Sequence, residues 1–231
     1  MGIYNGRVDH IYRDTLFGLK TYFIGDSKYY EIGGEIQPDS VYKQFAYARN
    51  VQTLRMIEKQ KWQVDDVQIY NEETGGYNVI PNFFIRGIWT GDSEKMLFEP
   101  YNAKDKEVWH FENRLFDRDT LSIYTFEVDF MQVLKLYVNG NDGERRLWRK
   151  EARDKIKKEV RLKLGKKYDF YQSNNNCKDD AVKKWFDENW REWLGKIYKG
   201  ENGYILAIKK DEKVSKEELP DYFNEIKIEE L

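Results

Sequence analysis

The chain of 231 residues contains one cysteine, Cys177, and two histidines, His10 and His110. A lone cysteine excludes an internal disulfide and fits a reducing compartment. With so few soft ligands, the composition argues against a Cys/His zinc site as well. A nucleophilic pair of Cys177 and His110 has nothing around either residue to support it. No signal peptide is visible and no apolar run is long enough to span a bilayer, which predicts a soluble, cytoplasmic protein with no membrane partner. A Gly-rich phosphate loop is missing, which argues against nucleotide hydrolysis by this chain. Internal repeats and low-complexity tracts are missing too. Net charge is nearly absent: 39 Lys and Arg against 41 Asp and Glu leave −2 at pH 7. The molecule therefore has no global positive field for nucleic acid, and any basic footprint has to be local.

What is present is enough to build a core. Hydrophobic residues are 40% of the chain and aromatic residues 16%, with 17 Tyr and 7 Trp. The length suits one large domain, or a core with an appended subdomain.

Residues 8–12, Val-Asp-His-Ile-Tyr, read as a strand that begins almost at once. No helix is read before it, so Met1 is expected to be an internal start or the chain a fragment. Residues 13–20, with Asp14 and Gly18, read as a connection into a second strand over 21–30, making a hairpin. Side chains at i and i+2 share one face of a strand, so Asp26 and Lys28 are expected to project together, with Asp9 on the neighbouring strand. Gly33-Gly34 breaks the pattern. Pro38-Asp39-Ser40 then opens a helix predicted to run to about residue 59. Gln44 and Tyr47 lie one turn apart on it and are expected to face the same site.

Further strands are predicted over 62–70, 77–89, 95–101 and 121–126, with Pro81 marking an edge or a bend. A structured loop is expected over 111–120 and a helix over 129–138. The turn residues at 139–143 read as a boundary. Beyond it lie a strongly basic helix over 145–167, a polar loop over 172–176, and an amphipathic helix over 178–194 that carries Trp185, Trp190 and Trp193. A last strand is expected over 204–208, before an acidic tail that frays except at Tyr222-Phe223.

Two carboxylates on adjacent strands can share one hard divalent cation, most naturally Mg²⁺, with the Ser27 carbonyl as a further oxygen ligand. Lys28 would orient the attacking water or screen developing charge. Asp14, in the connection, is a rival to Asp9 as the carboxylate that partners Asp26. The bland alternative is a hairpin with surface ion pairs. The basic helix offers Arg145, Arg149 and Arg153 for phosphate contact, yet Leu147, Trp148, Ile156, Val160 and Leu164 also suit a solvated helix with one buried face. The tryptophans suit core packing better than base stacking, and both histidines read as structural.

Three stretches carry a family resemblance: Val8-Asp9-His10-Ile11-Tyr12-Arg13-Asp14, Phe23-Ile24-Gly25-Asp26-Ser27-Lys28-Tyr29-Tyr30 and Val41-Tyr42-Lys43-Gln44-Phe45-Ala46-Tyr47. With residues 111–121, they resemble nucleases of the PD-(D/E)XK superfamily, most closely the LlaJI-type restriction endonucleases and their McrC-like relatives. The likeness spans the first half to two-thirds of the chain. Val8 stands where the family usually has proline, and the family's helix before the first strand, often bearing a Glu, has no counterpart.

The resemblance implies an α/β fold: a restriction-endonuclease-like core with a mixed central β-sheet flanked by helices over 1–140, and a mostly helical extension over 141–231 packed on it. It implies a Mg²⁺-dependent endonuclease acting on double-stranded DNA in a restriction-modification system. Asp9 and Asp26, with Ser27, would hold the metal. Lys28 would assist the water, Gln44 and Tyr47 would form the auxiliary helix motif, and Lys43 would join the arginines in holding DNA. An NTPase motor subunit or a second nuclease protomer would be the partner. Two alternatives stay open: a non-catalytic DNA-binding or assembly subunit, and an RNA or repair nuclease of the same fold.

Overall fold

The structure is a computed structural model and describes residues 8–29, 36–58, 66–89, 98–101, 108–174, 179–212 and 219–228. Strands β1 (His10–Leu16) and β2 (Leu19–Tyr29) form an antiparallel hairpin that starts at the pair His10↔Gly25 and ends at Leu16↔Leu19. The connection predicted over 13–20 shrinks to Phe17-Gly18, because β1 continues through Asp14 to Leu16. Both turn residues have positive φ, 57° and 69°, the combination that matches the strand twist of a tight hairpin. Phe17 tolerates it because its ring is buried against Phe170, 4.9 Å away.

Helix α1 (Pro38–Glu58) follows, matching its predicted span, with Pro38 at the first helical position where a missing N–H costs nothing. Strands β3 (Asn82–Ile88), β4 (Phe98–Pro100), β5 (Val108–His110) and β6 (Leu121–Asp129) complete a mixed sheet in the order β1-β2-β3-β6-β4, with β5 also on β6. β2, β3 and β6 run parallel. The two faces of this parallel core are covered by different apolar clusters. Phe23 and Phe83 point to one side; Ile24 and Phe84, beside α1 residues Phe45 and Ala48, point to the other. Burial on both faces explains the near-continuous apolar runs of these strands.

Two predictions are corrected in this region. β3 is central rather than an edge: Pro81 sits just before it, and its carbonyl accepts a hydrogen bond from the Ile24 N–H (3.0 Å). Within the predicted strand over 62–70, residues 66–69 are irregular and Tyr70 makes only a single bridge to Tyr77; residues 62–65 lie outside the described set.

Asp129 ends β6 and caps α2 (Phe130–Asn139), its carboxylate accepting from the Met131 and Gln132 N–H groups. Asn141 and Glu144 form a capping box that opens α3 (Asp142–Lys167). The turn residues at 139–143 are thus a helix joint. α3 buries Ala152, Ile156, Val160 and Leu164, a stripe at i, i+4 spacing, in the same cluster as Phe23, Phe83 and Phe126. The boundary at 140 therefore divides the sequence without dividing the core.

The extension holds both predicted helices and the predicted strand over 204–208, joined by three strands that the sequence does not announce. Residues 168–226 contain β7 (Tyr168–Ser173), α4 (Asp179–Trp193), β8 (Ile197–Gly200), β9 (Gly203–Lys209) and β10 (Phe223–Ile226), and the strands form an antiparallel sheet ordered β10-β7-β9-β8. Part of the predicted polar loop over 172–176 belongs to β7. Trp185 and Trp193 pack against each other at 5.1 Å over this sheet, as core residues, while Trp190 is exposed. No described helix is long and apolar enough to cross a membrane.

Glu73 ties the 70–78 loop to this second sheet, accepting from Lys199 Nζ (2.9 Å) and the Tyr204 hydroxyl (3.0 Å). The Lys199 bond holds its carboxyl below the ordinary 4.5, against partial burial and with help from Tyr204. A depressed folded value adds stability above the unfolded pKa, and that stability is lost as pH falls through the folded value. Glu73→Gln should therefore cost no more than about 1 kcal/mol at neutral pH, because the pair is partly exposed. In urea unfolding across pH, the gap from wild type should close below the ordinary Glu range.

Candidate active site

The hairpin places the predicted acidic residues side by side. Asp9 lies one step beyond the pair His10↔Gly25, opposite Asp26. The two carboxyl groups are close enough to act on each other's proton affinity, and Asp9 Oδ2 accepts from the Ser27 N–H (3.2 Å). Lys28 Nζ forms a close ion pair with Asp26 and sits 5.8 Å from the centre of the Phe84 ring. Asp26, Lys28 and Phe84 thus share the face of the sheet that α1 covers. Asp26 and Lys28 are 14% and 21% exposed, so the pair is shielded yet reachable.

Burial pushes the Asp26 carboxyl above 3.8, and the contact with Asp9 adds to this against the opposing ammonium of Lys28. Asp9 goes the other way. Its partial burial acts upward, but the contact with Asp26 and the hydrogen bond from the Ser27 N–H, with the charges of His10 and Lys28, outweigh it and hold the carboxyl below 3.8. Two carboxylates sharing one site push their proton affinities apart, and a divalent cation between them would relieve the repulsion. The donor set therefore suits a hard cation such as Mg²⁺. Among the described residues, however, no group of three or more His, Cys, Asp or Glu side chains is gathered as a metal site.

Asp14 is removed from the site. It pairs with Thr21 in mid-hairpin and accepts from Lys157 Nζ of α3 at 2.9 Å. Asp9 is the carboxylate beside Asp26.

Gln44 is fully buried, and its amide donates to the Ile24 carbonyl (2.9 Å) and to Asn82 Oδ1 (3.3 Å). It therefore clamps the backbone of β2 two residues before Asp26, a positioning role. Asn82, which sequence reasoning did not single out, is the other half of this clamp; a buried Asn opening an apolar strand is the available signal. Tyr47 packs against the cluster of Tyr22, Ile24 and Phe84. Gln44→Leu keeps the volume but strips the bond from the Ile24 carbonyl. It should lower stability by about 1–3 kcal/mol, read as a shift in the urea midpoint at unchanged slope.

The basic residues divide. Lys43 is exposed on α1, on the opposite side of the sheet from α3. Arg145 donates to the Tyr137 carbonyl (3.1 Å) and pairs with Asp142 (3.2 Å), so it is engaged in the helix joint. Arg149 and Arg153 border the hairpin instead, the Arg153 guanidinium lying 4.4 Å over the Tyr12 ring. Further along the α1 face, Arg86 pairs in register with Lys28 and with Glu127, which it approaches at 3.6 Å, so charge continues across the C-terminal ends of β2, β3 and β6. Openings at the carboxyl ends of parallel strands are common ligand sites.

Both histidines serve as anchors. His10 Nε2 and Ser27 Oγ share a hydrogen bond of 2.7 Å, and His110 Nδ1 lies 3.1 Å from the Asp119 carbonyl. Cys177 lies outside the described residues. In comparisons with known proteins, no family model, no curated protein and no solved structure matches the chain.

Proposed function

We propose that this chain is a Mg²⁺-dependent endonuclease that hydrolyses phosphodiester bonds of double-stranded DNA, as an enzyme or nuclease subunit of a restriction-modification system. One observation carries the reading: two facing carboxyl groups at the end of one hairpin, with an ammonium beside one of them. When bound there, Mg²⁺ supplies a Lewis acid for the phosphate and lowers the pKa of a bound water. Asp9 and Asp26 hold that position, and the Ser27 carbonyl is a further oxygen within the same segment. Lys28 orients the attacking water and screens the charge that grows on the phosphate. Gln44 and Asn82 keep β2 in place, and Arg149 and Arg153 take backbone phosphates. The restriction setting, and a motor subunit or second protomer as partner, follow from the family resemblance.

A second reading is a non-catalytic DNA-binding subunit on the same fold. It is favoured by the absence, among the described residues, of any group of three or more His, Cys, Asp or Glu side chains that could hold a metal ion. Plasmid cleavage with and without Mg²⁺, repeated with Asp26→Asn, separates the two. Mg²⁺-dependent cutting that disappears in Asp26→Asn supports the nuclease. DNA binding without cutting, and no heat of Mg²⁺ binding by calorimetry, leaves the assembly role.

A further inference from the structure

The hairpin end that carries Asp9 also opens onto a cavity of about 460 Å³ on the other face of the sheet, between β1–β3 and α3. Its size is within the roughly 300–1,000 Å³ of small-ligand sites. Tyr12 and Phe83 form the sheet wall, and Trp148, Ala152 and Ile156, one stripe of α3, form the helix wall. The rings of the sheet wall pack on one another: His10 stacks on Phe83 at 22°, and Tyr12 stacks on Phe23 at 11° with the Arg153 guanidinium over its ring. The Tyr12 hydroxyl is buried with no hydrogen-bond partner among the described residues.

Charge fixes what such a cavity would hold. Asp9 and Ser27 lie at one end, so the cavity adjoins the carboxylate pair. Arg149 and Arg153 line it too, and both belong to a second groove along the next stripe of α3, where Arg146 and Lys150 add positive charge, Lys157 is paired with Asp14, and Asp154 is the other acidic member, so cations outnumber carboxylates. A fatty or purely apolar ligand would leave those guanidinium groups unused. A polyanion lying in the basic groove delivers a flat, polar-edged group to the aromatic walls.

We propose that this cavity receives one nucleobase, unstacked from the strand that lies along the α3 groove, with the phosphates flanking it held by Arg149 and Arg153. The inference rests on the nuclease reading and names the form in which that site takes its substrate. Aromatic side chains stack on any base, so the cavity discriminates by how easily a base leaves the helix rather than by its identity. A mismatched pair costs less to open and is the preferred place of entry.

The test is binding of a fluorescent duplex with one central mismatch against its matched counterpart, by anisotropy, with Ca²⁺ replacing Mg²⁺ so that the strand stays whole. Wild type and Asp26→Asn should both bind the mismatched duplex several-fold more tightly. Ala152→Phe, which fills the cavity, should lose that preference while still binding matched DNA. Trp148→Ala, which removes one wall, should reduce it and serves if the filled variant melts early. Equal affinity for the two duplexes, or a preference that survives in Ala152→Phe, overturns the proposal even where wild type cuts plasmid. A wild-type chain that neither cuts nor binds DNA overturns the nuclease reading together with it.

Discussion

Lys28→Ala is expected to reduce Mg²⁺-dependent DNA cleavage by roughly 10²–10⁴-fold, the span of a positioned proton-transfer or charge-stabilising group. DNA affinity should stay near wild type, because the groove along α3 lies on the other face of the sheet from Lys28. The ammonium has two tasks. It balances Asp26, the more buried carboxylate of the pair, and it presents a compact charge where the phosphate would arrive. Removing it leaves burial and Asp9 to raise the Asp26 carboxyl further. Asp26 then ionises only at higher pH, so the residual activity should move to the alkaline side. Lys28→Arg keeps the charge but replaces a point donor with a planar fork and should restore only part of the rate. Single-turnover cleavage across pH, with affinity measured in Ca²⁺, reads all three effects. If Lys28→Ala cuts at the wild-type rate, Lys28 takes no part in the chemistry and the family-derived assignment falls.

The pairing of Asp9 with Asp26 was legible because strand alternation and a short hairpin are local properties. The aromatic and β-branched residues around 22–24 announce β2, and i, i+2 spacing puts Asp26 and Lys28 on one face. The hairpin's true length was not legible. Asp14 and Gly18 looked like turn residues, yet Asp14 is held in the strand by Lys157 from α3, 143 positions away. Sequence spacing carries no trace of such a contact. The resemblance singles out Gln44 as a site residue, but its bond to the Ile24 carbonyl depends on how α1 docks, which no periodicity fixes. In the C-terminal part only the strand over 204–208 is announced by its apolar run; the alternation in Tyr168–Ser173 is overshadowed by the long basic helix before it, so the pairing of four strands into one sheet is not legible. The cavity was least visible of all, since its two walls come from strands near the start of the chain and a helix beyond residue 140.

Gly25 shows how closely that cavity and the carboxylate pair are joined. It stands in register with Phe83, and a Cβ placed on it would lie 2.2–2.8 Å from three atoms of the Phe83 ring. The ring is 1% exposed and stacks under His10, so making room for the methyl means pushing it out of that stack toward the cavity it lines. Gly25→Ala should therefore destabilise the fold by about 1–3 kcal/mol, the usual cost of forcing a packed side chain out of place. Phe83→Ala alone should cost about 3–5 kcal/mol through the void it leaves. Combined, the two should cost less than their sum. With the ring gone the added methyl meets open space, and Ala is favoured over Gly in a strand by roughly 0.5–1 kcal/mol. The effect of Gly25→Ala should thus change sign in the Phe83→Ala background. Urea unfolding of the four proteins closes this cycle. Additive costs would mean that the ring yields to a side chain at 25, and that the close approach of β2 and β3 beside Asp26 does not depend on glycine.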